Sequence, residues 1–238
     1  MVEKTVVDQK QLAMRIWTRG FVQALPIVLG YIPVGFAYGV LAEKAGLSIL
    51  NTLLMSIIVY AGSSQLIAVG LISAGTSPVS LIVTTLIVNL RHMLMAASLS
   101  QNLDNMNKAE QAGFAYELTD ETFALHSTRF RKAEFEKQTT FAINITSQLS
   151  WVLGSFLGIT AGQMISSVEP YALDFALPAM FIALLVMQIN NKKHLIVAMF
   201  AGAVSLMIYL FGLTQWNVIL ATIIAATFGV LIEKWIKK

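Results

Sequence analysis

Thr84–Ala97 reads TTLIVNLRHMLMAA, which sets Asn89, Arg91 and His92 within four positions of one another inside a long apolar run. In water such a run would be a core element with an awkward polar cluster. The rest of the chain points to lipid as the solvent. Of its 238 residues, 56% are hydrophobic and 12% charged, and the mean hydropathy is +0.70. Ordinary globular domains are about 25% charged. Each crossing of the hydrocarbon layer takes roughly 20 apolar residues, so the chain has room for at most about eight or nine helices. One integral membrane domain over 1–238 is expected, all-α, as a polytopic bundle of about seven or eight membrane helices.

The net charge of +3 and pI near 9.1 do not point to nucleic acid, because the basic residues are not gathered on one face or arm. They cluster at the ends of apolar segments, as lysines and arginines of cytoplasmic loops do. With no cysteine there is no disulfide, no Cys-ligated metal and no thiol chemistry. No Walker loop, HExxH, GxGxxG or nucleophile elbow occurs. A cofactor, a metal site and an enzymatic activity are therefore not expected. Met1–Gly20 lacks the apolar core of a signal peptide. Its stripe of Leu12, Ala13, Ile16 and Trp17 suits a cytoplasmic interfacial helix ahead of the first span.

Apolar segments fall at about 21–42, 49–73, 78–100, 139–162, 174–190, 194–212 and 215–233, with a more polar helix predicted at about 111–128. If all eight span, thirteen of the sixteen basic residues share the side of the N-terminus. Lys44 and Lys108 then lie on the other side and Arg91 in the membrane. The excess of lysine and arginine places both termini in the cytoplasm. A second arrangement makes 49–73 a re-entrant hairpin broken at AGSSQ and lays 111–128 on the cytoplasmic surface, leaving only Lys44 outside. The eight-span arrangement is the favoured one. ALPIVLGYIPVGF from Ala24 and ALPAMFIALLVMQ from Ala176 start from opposite sides, as an inverted repeat requires. Three matching residues are a weak signal, and proline at the first turn of a helix explains the match without a repeat.

An intramembrane arginine is costly and must face protein or water with a partner. Glu117, Asp120 and Glu121 are spaced i, i+3, i+4, on one face of the predicted polar helix and opposite Phe114 and Phe123. An ion pair from Arg91 to Asp120 or Glu121 is expected, either as scaffolding or as part of a substrate or proton pathway. His92 is suited to relaying protons or to packing. His126 and His194 are expected at the interface. Ser56, Tyr60 and Ser63 fall at i, i+4, i+7 with Gly62, Ser64 and Gln65 alongside. This Gly/Ser cluster can break the helix and bare backbone groups at the midplane, or simply allow close helix approach. Pro26, Gly30, Pro33 and Ala37 form one stripe, read as a kinked, closely packed surface, and Gly35 and Gly39 make a GxxxG pair. Ser150, Gly154, Gly158 and Gly162 repeat every fourth residue and predict a flat face for a neighbouring helix.

In their order and spacing, ALPIVLGYIPVGFAYGVLAEKAGLS, AGSSQLIAVGLISAG, NLRHMLMAASLS and LTDETFAL, with ALPAMF further on, resemble the AzlC/YgaZ family of branched-chain amino acid exporters. The resemblance implies a permease of the cytoplasmic (inner) membrane that exports leucine, isoleucine, valine and methionine with a small AzlD-type membrane subunit. The positions matching the family's polar motifs are Gly62, Ser63, Ser64 and Gln65, then Asn89, Arg91 and His92, then Asp120 and Glu121. Export by a secondary transporter, driven by protons, needs a clamp for carboxylate and ammonium beside an apolar pocket. Arg91 with the Gly62–Gln65 break suits the carboxylate and Asp120 or Glu121 the ammonium or proton. Tyr60, Phe36 and the kinked helix at Pro33 would line the pocket. The alternative is a non-transport membrane subunit whose charged cluster only docks a partner protein.

Overall fold

A computed structural model describes residues 2–165, 191–212 and 217–236, with isolated positions between 175 and 189. Among the described residues every regular element is helical. The chain divides into two units, Met1–Pro178 and Ala179–Lys238.

In the first unit α1 (Val2–Lys44) continues unbroken through Gly20 and through both internal prolines. It packs along α7 (Lys137–Gly162). The two helices run parallel. A Cβ on Gly20 would meet Ala142 and Thr139, one on Gly35 would meet Trp151 and Gly154, and Gly162 lies against Val40 and Glu43. At Gly154 an added Cβ would sit 2.7 Å from the Ile32 carbonyl oxygen, and at Gly158 it would collide with that of Phe36. The four-residue glycine repeat on α7 thus seats the GxxxG pair of α1, and the predicted flat face is filled from within the chain. The proline stripe is a different matter. Pro26, Gly30 and Pro33 are exposed, and nothing lies within 4 Å of a Cβ placed on Gly30. Ala37, the fourth member of the stripe, is buried, so the outward face is that of Pro26, Gly30 and Pro33, where the prolines' missing N–H groups cost no contact with a neighbour.

Arg19 lies 3.8 Å from Glu136 at one end of this pair, and at the other Lys44 donates to the Gly162 carbonyl at 3.0 Å. These contacts define a basic end and a Lys44 end. After Lys44 the chain turns into α2 (Ile49–Leu54), capped by Ser48, and heads back along α7. Its last turn widens into a π-turn over Met55–Val59. Tyr60 then takes a left-handed conformation, φ 43°, ψ 48°, and α3 (Gly62–Ser73) begins. Bulky residues rarely adopt positive φ, and the break sits at mid-depth. Tyr31, Tyr60 and Trp151, all near the middle of the bundle, belong to one buried cluster.

α4 (Pro78–Leu99) returns toward the basic end, where Leu99, Leu103 and Met106 pack with Phe114 and Phe130. Midway along it, Asn89 and Arg91 hydrogen-bond Ser64 and Ser63 at the start of α3. Hence α3 climbs from mid-depth to the Lys44 end, and α2–α3 is a re-entrant hairpin.

The polar stretch is two helices, α5 (Lys108–Tyr116) and α6 (Asp120–Arg131), each opened by a capping box, at Asn107 and Thr119. This overturns the single helix predicted at 111–128 and the common face of its three carboxylates. α5 starts at the basic end, where Glu110 meets Lys137 at 2.7 Å, and rises until Tyr116 contacts Ile57. α6 descends again. Glu121 is level with Tyr31, His126 with Asn144, and Arg129 with Thr140. α5–α6 is therefore a second re-entrant hairpin, entering from the end opposite the first. Both of its ends lie at the basic end and its tip at mid-depth of the α1–α7 pair, so Lys108 belongs at the basic end.

In the second unit α8 (Lys192–Leu210) is capped by Asn191, whose side chain accepts from the His194 N–H at 2.9 Å. It lies against α9 (Asn217–Ile236), with Phe200 and Phe228 stacked 4.1 Å apart. Met14–Lys44, Pro78–Asn102, Lys137–Gly162 and Lys192–Leu210 are long and apolar enough to cross a membrane. The predicted segment 174–190, with the second ALP motif, lies for the most part outside the described residues.

Candidate functional site

The two hairpin tips meet near the middle of α1 and α7. The first tip supplies the π-turn, Tyr60, Ala61 and the first turn of α3. The second supplies Tyr116, Glu117, Leu118, Thr119 and the first turn of α6. They touch directly, because the Tyr116 hydroxyl donates to the Ile57 carbonyl. Gln148 of α7 joins them at 3.2 Å from both groups. That carbonyl lies in the last turn of the π-helix, and the chain leaves the helix at left-handed Tyr60, so no following turn covers it.

Arg91 bridges the tips from α4. Its guanidinium lies 2.9 Å from the Asp120 carboxylate and donates to the Ser63 hydroxyl, while its Nε is buried without a partner. Ser64 donates to Asn89 Oδ1 beside it. Of the two acids offered as partner to Arg91, Asp120 is the one engaged. Glu121 instead accepts from the Tyr31 hydroxyl at 2.7 Å, and Tyr31 also reaches the Thr119 hydroxyl at 2.6 Å. The Tyr60 hydroxyl is buried in the same cluster as Tyr31, with no hydrogen-bond partner among the described residues. His92 is half-buried next to Arg91 and makes no hydrogen bond or ion pair among the described residues.

Gly62 and Gln65 join the first tip to α7. A Cβ on Gly62 would come within 2.8 Å of the Trp151 ring. Gln65, fully buried, donates to Ser56 at 3.1 Å and accepts from Trp151 Nε1 at 3.1 Å, and Ser56 donates on to Ser155 at 2.8 Å. Ser56, Tyr60 and Ser63 do not share the single helical stripe expected of them, because the helix breaks between them. Pro33 is exposed, and the backbone of the half-buried Phe36 lies on Gly154 and Gly158.

Tyr31, Thr119 and Gln148 enter the site without having been singled out. A tyrosine in ALPIVLGYIPVGF looks like one more apolar residue until its hydroxyl is seen among carboxylates. His126 is also misplaced by its position near a basic cluster. It is fully buried, bonded to Asn144 at 2.7 Å and flanked by Phe114 and Phe130.

Fold and site together define a helical membrane protein whose central polar contact is built from two opposed half-membrane hairpins. The chain belongs to the AzlC protein family, whose model matches residues 26–165. It is 33% identical over 224 residues to the inner membrane protein YgaZ of Escherichia coli, covering 90% of this chain and 89% of that one. An uncharacterized membrane protein of Archaeoglobus fulgidus is 33% identical, over 92% and 95% of the two chains. The branched-chain amino acid transport protein AzlC of Bacillus subtilis is 27% identical over 76% and 72%. No solved structure matches the chain.

Proposed function

We propose that this protein exports branched-chain L-amino acids across the cytoplasmic membrane as a proton-coupled secondary transporter, working with a small AzlD-type membrane subunit. The observation that carries the reading is the meeting of two opposed hairpin tips around Arg91 and Asp120. Broken helices that end at the midplane bare backbone N–H and C=O groups where a zwitterion can be held without exposing unsatisfied backbone to lipid. Arg91, the first N–H groups of α3 and the hydroxyls of Ser63 and Ser64 suit a carboxylate. Glu121 or Asp120 suits an ammonium or a proton. A relative named as a branched-chain amino acid transport protein supports the substrate class.

Both termini are assigned to the cytoplasm. In the first unit Arg15, Arg19, Lys108, Arg129, Arg131, Lys132 and Lys137 gather at the basic end, against Lys44 at the other, the asymmetry expected of a cytoplasmic face. Movement of one hairpin against the α1–α7 pair would open the site to either side in turn.

The test is efflux of labelled leucine from preloaded cells, with and without the chain and with and without a co-expressed AzlD-type subunit. Faster efflux that collapses when the proton gradient is dissipated is the expected result. Efflux unchanged in every combination contradicts the transporter and favours a docking subunit.

A further inference from the structure

The charges at the hairpin tips do not balance. Glu117, Asp120 and Glu121 lie within five residues of one another at the second tip. Arg91 is the cation that reaches them, and it is committed to Asp120 at 2.9 Å. Among the described residues no second cationic side chain forms an ion pair with the other two carboxyls. α1 offers the Tyr31 hydroxyl to Glu121, the first hairpin places Tyr60 in the same buried cluster as Tyr31, and α7 places Gln148 on the hydroxyl of Tyr116, next in sequence to Glu117. His92 of α4 stands beside Arg91 and Asp120, and His126 is held by Asn144 one step further toward the basic end.

Glu117 Oε2 and the hydroxyl of Tyr60, a residue 2% exposed, are buried without a hydrogen-bond partner among the described residues, as are Arg91 Nε and Asn144 Nδ2. Tyr60 packs in the buried cluster of Tyr31, whose hydroxyl is bonded to Glu121. Three carboxyls facing one arginine among the described residues, with an acceptor and a hydroxyl left open beside them at mid-depth, make a site suited to a further positive charge.

We propose that Glu117 and Glu121, with Tyr31 and Tyr60, form a site for one monovalent cationic group, occupied in turn by a proton and by the α-ammonium of the transported amino acid. The inference rests on the amino-acid transport reading and goes beyond it: Glu117 enters the site, and Asp120 is assigned to holding Arg91. The exchange balances. The carboxylic acid releases its proton to the surrounding water, and the resulting carboxylate accepts hydrogen bonds from the ammonium, which keeps its own three protons. An amino acid therefore cannot bind until the proton leaves, and one cannot be carried with the other. Export of an amino acid is thereby tied to proton entry.

The sign follows directly. Leucine needs the ionised carboxylate, so its affinity falls as pH falls through the titration of the site, and its binding releases a proton. The experiment uses the full chain in detergent, with leucine added in weak buffer and a pH indicator present. The wild type is expected to release close to one proton per leucine at acidic pH, with apparent affinity dropping up to tenfold per pH unit. Glu121→Gln should abolish the release and weaken leucine at least tenfold, and Glu117→Gln should weaken it several-fold and flatten the pH dependence. 2-Hydroxy-4-methylpentanoate, which lacks the ammonium, should bind without releasing a proton. Leucine binding with no proton release, release unchanged in both variants, or dependence on sodium in place of pH each overturns the proposal while leaving amino-acid binding intact. Failure of the wild type to bind leucine at all overturns the transport reading and this proposal with it.

Discussion

Arg91 and Asp120 lie on different helices, α4 and α6, and meet at 2.9 Å where two re-entrant hairpins converge, with Ser63 of the opposite hairpin on the same guanidinium. Both side chains are largely shielded. Breaking a shielded pair by removing one member costs about 3–5 kcal/mol, because the remaining charge keeps its desolvation penalty without its partner. Arg91→Gln and Asp120→Asn should each lower membrane expression more than the double variant does. If the double variant regains expression and not leucine export, the pair acts in transport. If it regains both, the pair is scaffolding. If it rescues neither, the pairing does not account for the need for Arg91.

The pairing itself was legible from the chain, since a lone intramembrane arginine must find an acid and the acids nearby were few. Which acid was not legible. A continuous helix through 111–128 would put Asp120 and Glu121 on one face, whereas the chain breaks at Glu117–Thr119 and sends Asp120 toward α4 and Glu121 toward Tyr31. The break is written in Thr119 and Asn107 as cap residues, a signal that hydropathy windows do not register. The small-residue repeats on α1 and α7 showed the close contact because backbone proximity depends on the absence of a side chain, which sequence states outright. The role of Tyr31 depends on which elements surround its hydroxyl, and no local pattern carries that.

Topology offers the most direct check on the second hairpin. Asn105 and Lys137 should lie on the same side of the membrane as the N-terminus, and Thr76 on the opposite side. Single cysteines at these positions in the cysteine-free chain, probed with an impermeant thiol reagent, should label Thr76→Cys from outside intact cells and Asn105→Cys only after permeabilisation. Labelling of Asn105→Cys from outside would restore the eight-span arrangement.

The α1–α7 contact should tolerate little growth. Overpacking costs typically 1–3 kcal/mol, and more where the obstacle is backbone. At Gly158 it is the Phe36 carbonyl. Gly158→Leu should therefore separate the helices and lower the thermal stability of the purified protein by several degrees, whereas Gly30→Leu, on the open face of α1, should leave it within a degree. Equal behaviour of the two in a thermal unfolding assay would mean that α1 and α7 are not in contact.

The tether between the second hairpin and α7 should respond to pH. Hydrogen bonding from the Lys137 ammonium, then from the Asn107 N–H, holds the Glu110 carboxyl below its ordinary range. A carboxyl whose folded pKa is depressed stabilises the folded arrangement fully above its unfolded value, and the contribution disappears as pH falls through the folded value. Because the pair sits at the exposed basic end, the effect is small and weakened by salt. Hydrogen exchange at the first turn of α5 should accordingly be slower above about pH 5 than at pH 3 once corrected for intrinsic rates. Glu110→Gln should remove most of that difference by losing the ionisable partner of Lys137. A first turn that stays equally protected in the wild type across this range would show that α5 is held by Phe114 and its apolar neighbours alone, and that the ion pair contributes nothing to the docking of the hairpin.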